Sequence, residues 1–375
     1  MVNNIKNYIL RSIFIVGMGC LASLSGCQAH EEPQANVSKA PDVMVTETRT
    51  FEVDGNRLSG LLDKPGNGDA HALIIIVHGY GQTNVVDENW YYDLRSRFAS
   101  MGVASFVWDK PGNGASEGVF DPNQSVASSA SEVVSAAAYL RQERVPGSDR
   151  IGLWGISRAG WIAPLALAQD PTLAFWISVS GVDANESFGY LLKSNWQLKG
   201  YDAQTIDRLL GEWRRGTELT AKGGSYADYL AATENFRRDP FVQYLSGDTI
   251  SKDAFETLQT GAAEEPQRID PETGLAIYIE GFDSLLASLD IPVLALFGEK
   301  DMSVDWQSTK KLYEDTIGQN PNAVLTIKTF PNANHNIHLS ETGGFEEMID
   351  MLGSHEMAQT YYSTMLEWLE GVIQE

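Results

Sequence analysis

Cysteine is scarce in this chain, and its two cysteines, Cys20 and Cys27, both lie near the amino terminus. The residues after them therefore have no disulfide bond to stabilise a fold and no thiol for catalysis or metal binding. Basic residues are also few: 27 lysines and arginines against 50 acids give a formal net charge of −23. Such a charge repels polyanions, so the composition argues against binding nucleic acids or bulky anionic substrates.

The apolar run at the amino terminus is too short to span a membrane. Ser12 to Leu24 has 13 residues, whereas a spanning helix needs about 20. Basic residues precede it and Leu24-Ser25-Gly26-Cys27 follows, which resembles a bacterial lipoprotein signal. We expect residues 1–26 to be a signal peptide, Cys27 to be lipidated and residues 27–42 to be a tether. The domain would then be anchored to a membrane of the bacterial cell envelope, outside the cytoplasm; an uncleaved membrane anchor is the alternative.

The rest of the chain alternates between apolar runs and helical patterns, which predicts a mostly parallel sheet covered by helices on both faces. The predicted strands are Ala72–Val77, Val103–Trp108, Ile151–Trp154, Leu173–Val179, Ile291–Gly298 and Ala323–Phe330, preceded by two strands around an Asp54-Gly55 turn. The alternation stops between residues 183 and 285, where helical and aromatic patterns predict an inserted cap. The sheet domain would comprise residues 43–182 and 286–375. A second domain unrelated to the site is the alternative for the insertion.

A serine lies at the turn between one predicted strand and the next helix, in Gly155-Ile156-Ser157-Arg158-Ala159-Gly160. The small residues two positions before and after Ser157 allow the sharp strand-to-helix turn that exposes a nucleophile. Ala159 stands where glycine is usual. Pro164 is unexpected, because it removes a hydrogen bond from the helix that follows.

A serine nucleophile needs a base to take its proton and a carboxylate to orient that base. Both are expected to follow the serine along the chain, the acid before the histidine. His335 follows the last predicted strand and is our candidate base, with His338 second and His355 also placed after the serine.

Asp301 follows the preceding strand and is our candidate acid. The alternatives for the acid are Glu299, Asp305 and Asp183.

The oxyanion of a tetrahedral intermediate needs backbone N–H donors. His78-Gly79-Tyr80-Gly81 follows the first central strand, and the N–H groups of Tyr80 and Arg158 are the predicted donors. The loop from Trp108 to Gly118 is interpreted as structural, a turn that shapes the wall of the site.

The serine turn, the His78-Gly79 turn, Asp301 and His335 together resemble the α/β-hydrolase superfamily. The segment from Gly160 to Leu165 resembles serine esterases and dienelactone-hydrolase-like proteins. The Trp108–Gly118 loop is similar to the Asp-x-Arg-Gly-x-Gly-x-Ser-x-Gly loop of the superfamily, with Lys110 and Pro111 in place of Arg and Gly.

The resemblance implies hydrolysis of a small-molecule carboxylic ester through an acyl-serine, with no metal and no organic cofactor. A serine peptidase or a thioesterase on the same fold is the alternative, and so is a lipoprotein that only binds its ligand.

Overall fold

The computed structural model describes residues 44–121, 124–183, 188–246, 250–264, 279–351 and 356–374. Its centre is one eight-stranded sheet in the order β1-β2-β4-β3-β5-β6-β7-β8. The strands are β1 Met44–Val53, β2 Asn56–Pro65, β3 Ala72–Val77, β4 Val103–Trp108, β5 Ile151–Ile156, β6 Trp176–Val179, β7 Pro292–Gly298 and β8 Val324–Phe330. The pairs β1–β2 and β2–β4 are antiparallel, and the six strands from β4 to β8 in the sheet order are parallel.

Helices connect the parallel strands and cover both faces of the sheet. They are α1 Val85–Glu88, α2 Tyr92–Ser100, α3 Val126–Gln142, α4 Ala159–Gln169, α11 Phe282–Ala287, α12 Trp306–Asp315, α13 Phe345–Asp350 and α14 Tyr361–Gln374. Between β6 and α11 the described residues form six further helices: α5 Phe188–Leu198, α6 Ala203–Lys222, α7 Tyr226–Ala232, α8 Glu234–Arg238, α9 Pro240–Ser246 and α10 Lys252–Glu264.

Each central strand contributes side chains to two separate cores. In β3, Leu73 and Ile75 pack on one face with α3, α4, α11 and α12, while Ile74 and Ile76 pack on the other face with α2 and α14. Alternate residues of a strand point to opposite faces, so a strand buried on both faces is apolar throughout. The predicted mostly parallel sheet with helices on both faces is therefore confirmed.

The inserted helices build a third core of their own. Trp196, Leu209 and Phe241 lie at its centre, and Phe345 and Met348 of α13 pack into it. Helix α11 behaves differently, because Phe282 and Leu286 belong to the core of the sheet domain. The predicted boundary at residue 286 thus falls inside a helix that packs against the sheet.

Some elements differ from the sequence-based expectations. The turn at Leu173, whose N–H donates to the Asp170 carbonyl at 3.1 Å, delays the start of β6 to Trp176. The short helices α1 and α13 have too few residues to show a helical period. The predicted signal, Cys27 and the tether lie outside the described residues. Within the described residues, no helix is long and apolar enough to cross a membrane.

A buried ion pair ties α2 to the sheet. Arg95 donates to the Asp63 carboxylate at 2.5 Å, and both side chains are fully buried. Arg95 also donates to the Trp90 carbonyl at 2.9 Å, while Thr46 donates to the other oxygen of Asp63 at 2.6 Å. These additional bonds satisfy groups that would otherwise make burial of the two charges costly.

Replacing Arg95 by leucine should lower the free energy of unfolding by about 3–5 kcal/mol, because it leaves the Asp63 carboxylate buried without its counter-charge. Urea unfolding followed by circular dichroism measures this change. The matched control is Lys311→Ala, which removes an exposed ion pair with Asp315 and should cost less than about 1 kcal/mol. Equal losses in the two variants would contradict the interpretation.

Candidate active site

Ser157 occupies a strained backbone position at the carboxyl end of β5. Its φ is +58°, a left-handed conformation that costs a residue with a side chain about 1–3 kcal/mol. Its N–H donates to the Val179 carbonyl of β6 at 3.0 Å, and α4 begins two residues later at Ala159. The turn therefore places a half-buried serine directly between a strand and a helix, as the sequence pattern predicts.

The small residues around the serine are required by close packing. A Cβ atom on Gly155 would lie 2.6 Å from the Ala159 Cβ, and one on Gly160 would lie 2.7 Å from the Val182 nitrogen. The methyl group of Ala159 therefore fits in the usual glycine position because Gly155 has no side chain. Helix α4 continues through Pro164, which is buried within it.

The structure brings Asp301 and His335 into direct contact. The Nδ1 of His335 lies 2.7 Å from Oδ2 of Asp301, and both residues are buried. The other carboxylate oxygen of Asp301 accepts the N–H groups of Ser303 at 2.8 Å and Val304 at 2.9 Å. Because a carboxylate only accepts hydrogen bonds, Nδ1 carries the imidazole proton and Nε2 is the nitrogen that can act as a base.

The end of β6 links this pair to the serine turn. Ser180 immediately follows Val179, which accepts the N–H of Ser157. The hydroxyl of Ser180 donates to the main-chain carbonyl of His335 at 2.7 Å, and Ser180 is fully buried. Two successive residues, Val179 at the end of β6 and Ser180 just after it, thus fix the serine turn on one side and the histidine loop on the other. The catalytic roles of Ser157, His335 and Asp301 remain predictions.

Each described residue among the alternative acids and bases makes a contact of its own. Glu299 accepts the Thr329 hydroxyl at 2.7 Å, and Asp305 caps α12 by accepting the Ser308 N–H at 3.1 Å. The main-chain carbonyl of Asp183 accepts the Trp161 indole N–H at 2.7 Å. His338 is buried in a short β-bridge with Met357, and His355 lies outside the described residues.

The loop after β3 lies against the serine turn. A Cβ atom on Gly79 would lie 3.3 Å from the Ile156 carbonyl oxygen and 3.5 Å from the Ser157 Cβ. Tyr80 follows Gly79 at this contact, and Arg158 follows Ser157, so each predicted oxyanion donor is next in the chain to a residue of this contact. Whether their N–H groups serve an oxyanion stays a prediction.

The Trp108–Gly118 loop is hydrogen-bonded to the loop after β3. The sequence marks this loop only by Lys110 and Pro111, which stand in place of the usual Arg and Gly. The Lys110 ammonium donates to the carbonyls of Gly79 and Gly81, each at 2.7 Å. Burial, followed by the charge of Arg158, lowers the pKa of Lys110 to about 7, whereas Glu132 acts in the opposite direction.

The first inserted helix covers the loop that bears Asp301. The Tyr190 hydroxyl donates to the Asp301 carbonyl at 3.1 Å, and the Ser194 hydroxyl and Asn195 amide donate to the Met302 carbonyl at 2.7 Å and 3.2 Å. Burial, followed by the carboxylates of Asp301 and Asp305, raises the pKa of Tyr190 to about 12. Tyr190 therefore remains a neutral donor near neutral pH.

Side chains that commonly bind metal ions do not cluster in the part of the chain that the structure describes. No group of three or more histidine, cysteine, aspartate or glutamate side chains lies close enough there to hold a metal ion.

Comparison with known proteins gives a family match over most of the chain. The family model of X-Pro dipeptidyl-peptidase (S15 family) matches residues 54–326. The chain is also 29% identical over 138 residues to the thiohydrolase aneE of Aspergillus aculeatus, which covers 36% of this chain and 41% of that protein. The chain thus spans about two fifths of the length of this curated relative.

Solved structures of low sequence identity share the fold. Est1E from Butyrivibrio proteoclasticus with ferulic acid bound has a TM-score of 0.50 and 17% identity, covering 87% of this chain and 100% of Est1E. DcsB in complex with its substrate analogue has a TM-score of 0.50 and 16% identity, covering 88% of this chain and 98% of DcsB. Together with the family match, these structures confirm the predicted α/β-hydrolase fold.

Exchanging the two facing small residues of the serine turn tests its packing. Gly155→Ala should lower the free energy of unfolding by about 1–3 kcal/mol, because its methyl group overlaps that of Ala159. The double variant Gly155→Ala/Ala159→Gly restores space for one methyl group and should recover more than half of that loss. Chemical denaturation of the wild type, both single variants and the double variant measures the coupling. Additive losses would show that the two residues do not constrain each other.

Proposed function

The chain belongs to the X-Pro dipeptidyl-peptidase (S15) family, and on that premise we propose that it is a serine hydrolase whose substrates are carboxylic esters. The observation that carries the assignment is the buried 2.7 Å bond between His335 and Asp301. This pair is linked through the end of β6 to a serine at a strained strand-to-helix turn. Backbone strain at a buried polar edge is typical of functional sites.

In the proposed reaction Ser157 attacks the ester carbonyl while Nε2 of His335 takes the hydroxyl proton. Asp301 orients the imidazole and stabilises its protonated form. The N–H groups of Tyr80 and Arg158 bind the oxyanion of the tetrahedral intermediate. His335 then protonates the leaving alcohol, and water hydrolyses the acyl-serine by the same steps in reverse order.

Cleavage of peptides is the second candidate, and the family match over residues 54–326 favours it. The same acyl-serine would form, but His335 would protonate a leaving amine instead of an alcohol. The relative named a thiohydrolase brings thioesters into consideration as a third class of acyl donor. These three classes differ in the leaving group and share the acyl-serine, so one substrate panel separates them.

Helix α5 supports a further part of the proposal, namely that the inserted helices act as a cap on the site. Three of its side chains donate to the backbone of the loop that bears Asp301. The alternative, a domain unrelated to the site, offers no reason for these contacts.

We also propose that the chain is a lipoprotein of the bacterial cell envelope, anchored through Cys27 and facing away from the cytoplasm. The apolar run followed by Leu24-Ser25-Gly26-Cys27 supports this location. A small neutral ester is the substrate that best suits it, because the net charge of −23 disfavours bulky anions.

Ser157→Ala should lower kcat for short p-nitrophenyl esters by roughly 10⁴-fold or more, because no acyl-serine can form. A fluorophosphonate probe should label the wild type on the peptide that contains Ser157 and should not label the variant. The wild type should hydrolyse p-nitrophenyl esters faster than an X-Pro p-nitroanilide or an acyl thioester. A higher kcat/KM for the anilide would replace the ester assignment by a peptidase.

Matched variants complete this test. Ser131→Ala removes an exposed hydroxyl that bonds within its own helix and should leave kcat unchanged. Asp301→Asn should lower kcat by about 10⁴-fold without unfolding the protein. If His338→Ala costs more than His335→Ala, the base has been assigned to the wrong histidine.

Cys27→Ser should release the protein from the membrane fraction of bacteria that express the full chain, because the serine hydroxyl cannot take the thioether-linked lipid. Fractionation with immunoblotting measures the distribution, and mass spectrometry of the wild type should detect the lipid on Cys27. The control is Cys20→Ser, which should leave the protein in the membrane fraction. Release by both variants, or by neither, would refute the predicted anchor.

A further inference from the structure

The side chain of Lys110 makes two hydrogen bonds with the loop after β3, which carries the predicted oxyanion donor Tyr80. Its buried ammonium donates to the carbonyl oxygens of Gly79 and Gly81, each at 2.7 Å. These two carbonyls lie on either side of Tyr80 in the chain. One cation therefore binds the loop at the peptide group that precedes Tyr80 and again at the carbonyl of the residue after Tyr80.

The carbonyl of Gly79 and the N–H of Tyr80 belong to the same peptide group. A peptide group is planar and trans, so its C=O and N–H bonds point in opposite directions. Holding the carbonyl toward Lys110 therefore turns the N–H of Tyr80 away from Lys110. A charged donor on the carbonyl also polarises the peptide group and strengthens its N–H as a donor.

We propose that Lys110 is a positioning residue that sets the direction and strength of the Tyr80 N–H as an oxyanion donor. The proposal rests on the function proposed above, since it assigns no new reaction. The Lys110 ammonium bonds to the carbonyls of Gly79 and Gly81, and it acts through the Gly79–Tyr80 peptide group. Its expected effect is on the rate of the chemical steps and not on the binding of substrate.

Lys110 is itself held in place by a second set of bonds. Its N–H donates to the Thr83 hydroxyl at 2.8 Å, and the Thr83 N–H donates to Oδ1 of Asn113 at 2.6 Å. Next to Lys110, the Asp109 carboxylate accepts the N–H of Val85 at 2.6 Å. The loops after β3 and β4 are thus bonded to each other at three further places, which fixes the backbone from which the Lys110 side chain extends.

The charge of Lys110 makes the proposal testable by pH. Burial and the positive charge of Arg158 lower its pKa to about 7, while the carboxylate of Glu132 opposes them. Two other titratable groups face Lys110. Burial, followed by the charge of Lys110, lowers the pKa of His78 to about 3, so His78 stays neutral. Burial raises the pKa of Asp109.

Below its pKa Lys110 is charged, and above it the neutral amine forms weaker hydrogen bonds. The contribution of Lys110 is therefore present at low pH and is lost as the pH rises through about 7.

The experiment compares kcat and KM for a p-nitrophenyl ester from about pH 5 to about pH 9 in the wild type, Lys110→Arg and Lys110→Met. The wild type should show a falling limb of kcat near pH 7, the pKa of Lys110. Lys110→Arg keeps its charge and should lose this limb. Lys110→Met should lower kcat by about 10- to 100-fold below pH 7, with KM within about threefold of the wild type, as for a weakened oxyanion donor. Above pH 7 the difference in kcat between this variant and the wild type should shrink, because the wild type has then lost the charge of Lys110.

The matched control is Arg150→Met. Like Lys110, Arg150 donates to two main-chain carbonyls, in this case those of Val372 and Ile373. It lies just before β5, at the end of that strand opposite to the serine turn. This variant should keep the kcat and the pH profile of the wild type. If kcat falls equally in Arg150→Met and Lys110→Met, the loss reflects general destabilisation and the proposal is wrong.

Two further outcomes would overturn the proposal: a wild-type kcat and pH profile in Lys110→Met, or a falling limb that persists in both Lys110 variants. If neither Lys110 variant folds, the pH dependence of kcat in the wild type becomes the test of the proposal. A wild-type kcat that does not fall near pH 7 would then contradict it. Fluorophosphonate labelling separates this result from the proposed function. A wild type that is neither labelled nor active refutes the serine hydrolase, whereas a labelled and active wild type leaves the hydrolase intact and isolates the role of Lys110.

Discussion

The parallel pairing of β3 with β5 is the constraint on which the site depends. This register sets Val77 opposite Gly155, so the loop after β3 must pass within contact distance of the serine turn after β5. From β3 the chain proceeds to β4 on one side and returns to β5 on the other. Loops that leave neighbouring strands in opposite directions open a crevice at the carboxyl edge of a sheet. The approach is close at Gly79, because a Cβ atom there would lie 3.3 Å from the Ile156 carbonyl oxygen and 3.5 Å from the Ser157 Cβ.

Strain at this edge occurs at two serines that directly follow neighbouring strands, β5 and β6. Ser157 has a φ of +58° and Ser180 a φ of +44°, and conformations of this kind cost about 1–3 kcal/mol each. Both are held by buried hydrogen bonds, from the Ser157 N–H to Val179 and from the Ser180 hydroxyl to His335. The sheet thus stabilises two unfavourable backbone conformations. As a result, the loops after β5, β6 and β8 meet at the carboxyl edge of the sheet.

The sheet and the contact between Asp301 and His335 were predictable because they depend on local patterns and on strand order. Apolar runs buried on both faces indicated the strands, and residues that follow the adjacent strands β7 and β8 must approach each other. The bonds from Lys110 to Gly79 and Gly81 were not predictable, because they join loops about 30 residues apart whose conformations depend on each other. The contact of Tyr190 with the Asp301 loop depends in the same way on how the inserted helices pack. The short helix α13, which anchors those helices through Phe345, has no periodic signal of its own.

The distribution of charge reconciles an acidic protein with the proposed reaction, in which the site has to stabilise an oxyanion. The net charge of −23 acts at long range on approaching molecules, but salt screens exposed charges beyond roughly 8–10 Å. The cations near the serine turn, Lys110 and Arg158, are buried, so solvent screens them much less. Their hydrogen bonds to backbone carbonyls fix their positions before any substrate arrives. An oxyanion that forms only during the reaction would therefore meet a local positive field, while a substrate that is already a large anion would be repelled before it reached the site.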